Sequence, residues 1–330
     1  MTAEAVPTAP RSSLLAIGER YGLIVLLALV VVTFSILPAS SSTFLTTANL
    51  AVVLSNQSVI LLCAVAVMLP LIAGNFDFSV GSVAVVGSVV CASAQVDAGL
   101  PAAGAIVLSI AVGLVIGLLN GFLVAVLQLN SFVATLGMAT ALGGLVQWYT
   151  GGLPVTGIDP AFVAFGAGTW LGVPQVIYFV IIAVVAVWYV LAFTPFGRSL
   201  YAVGSNRRAA VLVGLPTQRY VWTTFALSGL IAGTAGVLLS ARLGGASPDS
   251  GTYLLFPALT AVFLGATAIR PGVFNVWGTV IGVLFVAVSV SGLTMAGAAN
   301  WVDAVFNGVA LIVAVFLSTY LGKRRRGSGR

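Results

Sequence analysis

Stretches of roughly 17 to 25 apolar residues recur along this chain, and almost no charge interrupts them. As a helix, each rises far enough to cross the roughly 30 Å hydrocarbon core of a bilayer. Of the 330 residues, 60% are hydrophobic and 6% charged, and mean hydropathy is +1.17. A soluble surface needs several times that charge density, so lipid has to serve as the solvent. Lipid gives backbone groups no hydrogen bonds, which leaves only helices or a closed barrel. The apolar runs are continuous rather than alternating, and this selects an all-α integral membrane protein.

About ten transmembrane helices are expected, near 22–38, 50–73, 78–96, 101–127, 131–150, 174–193, 219–241, 253–269, 273–295 and 300–321. Ten crossings put both termini on one face. Of thirteen Lys and Arg residues, all but Arg242 then fall on that face, while Asp97, Asp159, Asp249 and Asp303 fall on the other. Cationic loops are retained in the cytoplasm, so the termini are assigned there. Omitting the eighth segment would split the basic tail from the basic central loop. The expected organisation is a cytoplasmic tail over 1–21, six spans over 22–194, a cytoplasmic loop over 195–220, four spans over 221–321 and a basic tail over 322–330. The apolar run from Tyr21 to Leu37 follows Arg11 and Arg20 as in a signal peptide, but its length and the spans behind it favour a retained first helix.

The pI near 9.7 does not mark a nucleic-acid binder, because the basic residues sit in loops flanking helices. With no His the commonest general base and metal ligand is missing, so membrane-embedded hydrolysis and a metal site are not expected. Cys63 and Cys91 lie in apolar surroundings and read as packing residues. No phosphate-binding G-x-x-x-x-G-K-[ST] loop occurs, so any ATP and Mg would be bound by partner subunits, with no cofactor in this chain.

Gly113, Gly117 and Gly121 recur on one helical face, as do Gly229 and Gly233, allowing backbones to approach where lipid supplies no hydrophobic drive between helices. The segment from Gly113 to Leu119 is echoed from Gly278 to Leu284, in spans four and nine. An odd number of crossings separates the copies, which suggests two five-helix inverted repeats.

The most specific segment is hydrophilic and lies between spans six and seven. Ser205 or Asn206 is suited to cap a short helix whose first turn holds Arg207, and Gly214 and Pro216 stop it after about two turns. Ala209 and Ala210 leave one face smooth enough to enter another protein's groove. With Thr194, Phe196, Gly197, Arg198, Ala202, Gly204, Asn206, Ala209, Ala210, Gly214 and Leu215, this loop resembles the cytoplasmic coupling region of permease subunits of ribose-type (monosaccharide) ABC importers, in the branched-chain amino acid/ribose permease superfamily. That family often has acidic residues where Arg207 and Arg208 stand. The block from Ala73 to Ser82 is similar to the family's T-G-G-I-D-L-S-V-G-S, with Asn75 for a glycine and Phe76 and Phe78 for aliphatic residues. Ser131 to Gly137 followed by Thr150 to Gly152, and the stretch from Ser228 through Arg242 to Thr267, extend the resemblance over about residues 50 to 320.

The resemblance implies a bacterial cytoplasmic-membrane importer. Two permease chains, identical or paralogous, would form the path, with two ATPase subunits or one with fused halves docked on the loop, and an external sugar-binding protein. Asp77 is the acidic residue expected at membrane depth, where a carboxylate costs about 2.5–3.5 kcal/mol on insertion scales. It reads either as a cap for the third span or as part of a gate. Asn56, Gln57, Asn120, Thr135, Gln147 and Asn307 are polar positions within apolar spans, able to bond neighbouring helices or a sugar's hydroxyls. Ser79 and Phe132, within the matching blocks, join the candidate path or gate residues. Trp148 and Tyr149 read as headgroup anchors rather than a sugar-stacking platform. A sparsely charged interior fits a neutral sugar or polyol. An ion-coupled secondary transporter, or an ABC permease for nucleosides or branched-chain amino acids, is the alternative.

Overall fold

A computed structural model describes residues 13–299 and 301–327. In chain order its helices are α1 (Ser13–Ile36), α2 (Thr47–Ile72), α3 (Val80–Val96), α4 (Ala102–Gly121), α5 (Ser131–Thr150), α6 (Pro160–Ala167), α7 (Gln175–Phe193), α8 (Pro195–Ser205), α9 (Arg207–Leu212), α10 (Thr217–Leu243), α11 (Gly251–Gly265), α12 (Val276–Met295) and α13 (Trp301–Gly327). A π-helical turn over Phe122–Val126 extends α4. Among the described residues, seven helices are long and apolar enough to cross a membrane: α2, α4 with its π turn, α5, α7, α10, α12 and α13. Shorter apolar helices, over Arg20–Ile36, Val80–Val96 and Tyr253–Gly265, stand where spans one, three and eight are expected. The protein is therefore an all-α, multi-pass membrane protein, and α5 occupies 131–150 as the sequence predicts. Arg11 and Arg330 lie outside the described residues.

Two connections hold structure that the apolar pattern does not announce. The stretch between α5 and α7 contains the strand β1 (Val155–Thr156), which pairs antiparallel with β4 (Gly245–Ala246) beyond α10, then α6 and a small antiparallel ribbon of β2 (Thr169–Trp170) with β3 (Val173–Pro174). The expected coupling loop contains two helices rather than one. Both extra helices begin the same way: Asp159 accepts a hydrogen bond from the Ala161 N–H at 2.8 Å ahead of Pro160, and Thr194 accepts one from Gly197 at 3.4 Å ahead of Pro195. An oxygen-bearing cap followed by proline at the first helical position is a strong helix start.

The bundle is organised around α10, which buries 78% of its apolar stretch against 11% for α13. Close approach of α4 makes this possible. A Cβ on Gly113 would lie 2.8 Å from the Gly233 Cα, and one on Gly117 would lie 3.0 Å from the Gly229 Cα. Gly87 of α3 meets Gly233 on the same helix, and the Ser109 hydroxyl donates to the Gly87 carbonyl at 2.7 Å. Below them Gly121 faces Trp222, whose indole N–H donates to the Leu118 carbonyl at 3.0 Å. The echoed segment in α12 makes a similar crossing, with Gly278 against Gly265 and Gly282 against Ala261 of α11. Cys63 and Cys91 are free thiols buried in this packing.

Gly229→Val inserts an isopropyl group between touching backbones. It is expected to lower stability by about 1–3 kcal/mol, read as a lower unfolding midpoint in detergent. Gly143→Val, where nothing lies within 4 Å, is the control and should leave the midpoint in place. Equal midpoints for both variants would contradict the close α4–α10 packing.

Candidate functional site

The linker joining α2 to α3 is an irregular segment held at several points. After Ile72 the chain turns at Gly74, whose φ of +81° suits glycine, and the Asn75 N–H returns to the Pro70 carbonyl at 2.9 Å. Residues 76–78 then alternate. The Phe76 and Phe78 N–H groups donate to the Ser131 and Thr135 hydroxyls of α5 at 3.1 and 3.0 Å, a pair spaced one helical turn apart. Asp77 is 3% exposed. Its Oδ1 accepts from the Ser79 N–H at 3.0 Å and the Ser79 hydroxyl at 2.6 Å, and its Oδ2 accepts from the Ser228 hydroxyl of α10 at 2.8 Å. Asn120 of α4 donates to the Ser79 hydroxyl at 2.8 Å. The carboxylate is thus satisfied by neutral donors from its own linker and from α10. Ser79, not Asp77, holds the N-cap position of α3, and it makes no side-chain cap bond there.

Asp77, Ser79, Asn120, Thr135 and Phe132 therefore converge at one end of the bundle. Phe132, in the first turn of α5, is 48% exposed and packs edge-on to Phe78. The other candidates gather towards the opposite end. Gln147 donates to Asp249 at 2.7 Å, beside a cavity of about 250 Å³ that Ser82, Gly143, Pro248 and Gly251 also line. Asn56 accepts from the Arg242 guanidinium, which also donates to Ser55 at 2.9 Å. Arg242 is thus not a loop residue: it sits in the last turn of α10 and folds back onto α2. Gln57 Oε1 and Asn307 Oδ1 are buried without a partner, and Asn307 Nδ2 donates within its own helix to the Asp303 carbonyl at 2.8 Å. The Tyr149 hydroxyl donates to Asp97 at 3.0 Å, and Trp148 projects from the surface.

The segment matching the coupling region has a built inner face and a free outer one. Gly204 packs on the Ile72 carbonyl with no room for a Cβ, Gly197 does the same on Leu191, and Phe196 stacks near Tyr220 at 5.6 Å between centroids. Asn206 is the cap of α9, accepting from the Ala209 N–H at 3.0 Å. The helix ends at Gly214, φ +81°, with the Leu215 N–H bonded to the Ala210 carbonyl at 3.0 Å. Six residues make α9 shorter than two turns. Ala210 is buried, so only Ala209 of the alanine pair lies on the presented face. The exposed apolar residues are instead Val211, Leu212 at 87% and Val213 at 76%, flanked by exposed Arg198, Arg207 and Arg208. A groove of about 750 Å³ runs beneath, bounded by Asn75, Gln128, Arg207, Thr217 and Arg219. From α8 the Tyr201 hydroxyl donates to the Phe274 carbonyl at 3.0 Å. Burial pushes the Tyr201 phenol above its ordinary value while nearby Arg270 pulls it down, and the net upward shift keeps the donor protonated at neutral pH.

Ser228, Ser131, Ser55 and Asp249 are the partners that sequence reasoning did not assign. Ser131 stands four residues before Thr135, a spacing that places both hydroxyls on one face and gives it away. Ser228 lies 151 residues from Asp77, and no local pattern joins them.

A polytopic helical bundle with buried polar clusters at both ends and a short helix projecting from one of them has the construction of a membrane permease. Residues 49–315 match the family model described as branched-chain amino acid transport system / permease component, and the chain belongs to that family. It is 33% identical over 303 residues to the ribose import permease protein RbsC of Bacillus subtilis, covering 91% of this chain and 92% of that one. It is 30% identical over 324 residues to the L-arabinose ABC transporter permease protein AraH of Azospirillum brasilense, covering 97% and 93%. With the D-allose transport system permease protein AlsC of Escherichia coli it shares 29% over 305 residues, covering 92% and 93%. No solved structure matches it.

Ser228→Ala removes one hydroxyl from the Asp77 carboxylate and should lower unfolding stability by about 1.5–3 kcal/mol, as for other hydrogen bonds to charged groups. A wild-type unfolding midpoint in detergent would contradict that bond.

Proposed function

We propose that this chain is the membrane permease subunit of an ABC importer for a monosaccharide or similar neutral polyol, driven by ATP hydrolysis in separate subunits. The observation that carries this reading is the near-full-length similarity to permeases named for ribose, L-arabinose and D-allose. The chain supplies the path and not the motor. Two ATPase subunits or one with fused halves would bind ATP and Mg and dock on residues 195–220, with a second permease copy or paralogue beside this one and an external sugar-binding protein delivering the solute. The termini and α9 would face the cytoplasm, within a bacterial cytoplasmic membrane.

Ten crossings in two inverted five-helix halves suit the packing. Exchanging spans two with seven, three with eight, four with nine and five with ten converts one set of neighbours into another. The pair α4–α10 becomes α12–α2, α3–α10 becomes α11–α2, α3–α4 becomes α11–α12, and α3–α5 becomes α11–α13, all of which are in contact. The two short helices of this exchange, α3 and α11, touch in their first turns at Gly81 and Gly251. Short interrupted helices in corresponding halves commonly flank a transporter's solute site. The cavity beside them is lined by Ser82, Gln147 and Asp249, groups suited to sugar hydroxyls.

ATP-driven closure of the motor would shift α8 and α9 and rock the bundle between two states. Leu212→Glu places a charge on the exposed apolar face of α9 without disturbing buried residues. Expected is a loss of ATP-driven uptake of at least tenfold, with folded yield and the binding protein's sugar affinity unchanged. Wild-type uptake by Leu212→Glu and by Ala209→Glu would contradict docking at α9.

A further inference from the structure

Five aromatic rings run without a gap across the end of the bundle that carries α8 and α9. Phe132 of α5 meets Phe78 at 5.0 Å between centroids, Phe78 meets Phe76 at 5.8 Å, Phe76 meets Phe263 of α11 at 6.4 Å, and Phe263 meets Phe274 at 5.4 Å. The chain of rings begins on the α2–α3 linker and α5, in the first half of the sequence, and ends on α11 and the α11–α12 turn, in the second. Phe76 and Phe132 keep 39% and 48% of their surface free, whereas Phe263 is buried as the root of the row. Ring–ring contacts at these distances are directional and favourable, yet each is worth only about 0.5–1.5 kcal/mol beyond area burial, so the row is easily broken at one link.

Resting on the permease reading, we infer that this row of rings is the inner seal of the solute path, and that Tyr201 and Gly204 tie it to the docking helices. The linker backbone carrying Phe76 and Phe78 hangs from the Ser131 and Thr135 hydroxyls, so the rings move with α5. At the other end the Tyr201 hydroxyl of α8 holds the Phe274 carbonyl. Gly204, in the last turn of α8, sits directly on the Ile72 carbonyl at the root of the linker. A displacement of α8 therefore acts on the row at two places, the root of the linker and the Phe274 end, and the longest of the four contacts, Phe76–Phe263, bridges the two halves between them. Opposed across the path by the second permease chain, the exposed Phe76 and Phe132 rings carry no hydrogen-bonding group and reject a hydrated polyol until the two chains part, while the polar cluster at Asp77 holds the linker behind them.

The test uses the whole importer, permease with its ATPase and binding protein, in proteoliposomes preloaded with radiolabelled ribose and free of ATP. Phe132→Ala and Phe76→Ala should each raise ribose efflux at least tenfold over wild type, and Phe132→Leu, which refills the space, should restore tightness. Should Phe76→Ala not fold, the exposed Phe132 carries the same test. Wild-type tightness in folded Phe132→Ala overturns the seal. Because efflux is read without ATP, it tests the seal independently of whether ribose is the pumped solute, which ATP-driven uptake by the wild type tests separately. Tyr201→Phe keeps the ring and removes the hydroxyl: ATPase turnover should persist while solute moved per ATP falls several-fold. An unchanged ratio overturns the tie to α8.

Discussion

A carboxylate held away from water needs donors, and the end of the bundle bearing α9 is arranged around supplying them to Asp77. A buried carboxylate left without partners loses its hydration and gains nothing in return. Hydrogen bonds to a charged group recover about 1.5–3 kcal/mol each, and Asp77 accepts three. The three bonds form together only when α3, its preceding linker and α10 are all in place, so the acid welds them into one unit. Alternation along the extended linker then does the rest. With Asp77 turned inward, Phe76 and Phe78 must turn outward, their N–H groups pinned on α5.

Glycine contacts do for the rest of the bundle what hydrophobic burial does for a soluble protein. Lipid tails are as apolar as Leu and Val, so helices associate through close packing. The Gly113–Gly233 and Gly117–Gly229 contacts bring α4 onto α10 closely enough for Asn120 to reach Ser79, and the Gly265–Gly278 contact seats α12 against α11. In the proposed permease, a motor docked on α8 would move helices, not loops. Tyr201 and Gly204 give that motion two points of purchase on the segments that border the proposed path.

Much of this was legible in the residues and some was not, for definable reasons. Continuous apolar runs locate the helices well because lipid permits little else, and the edges of α5 and α7 follow directly from polar or proline-bearing flanks. Short amphipathic helices lack such a signal, and α6 and α8 are betrayed only by Asp159-Pro160 and Thr194-Pro195. Asn206 as cap and Gly214 as stop locate the short helix from local signals, but in a helix of six residues one position decides exposure, and Ala210 turns in while Leu212 turns out. Partners distant in sequence were the least accessible. Asp77 with Ser228 and Asn56 with Arg242 pair residues more than 150 positions apart, and only the packed helices bring them together.

In the proposed importer the chain is a path worked by a motor held in other subunits. Accumulation of labelled sugar in proteoliposomes tests this most directly, comparing the chain alone, energised by proton or sodium gradients, with the chain joined to its ATPase and binding protein. Uphill accumulation is expected only when the partner subunits and ATP are present. Uphill accumulation by the isolated chain on an ion gradient would contradict it.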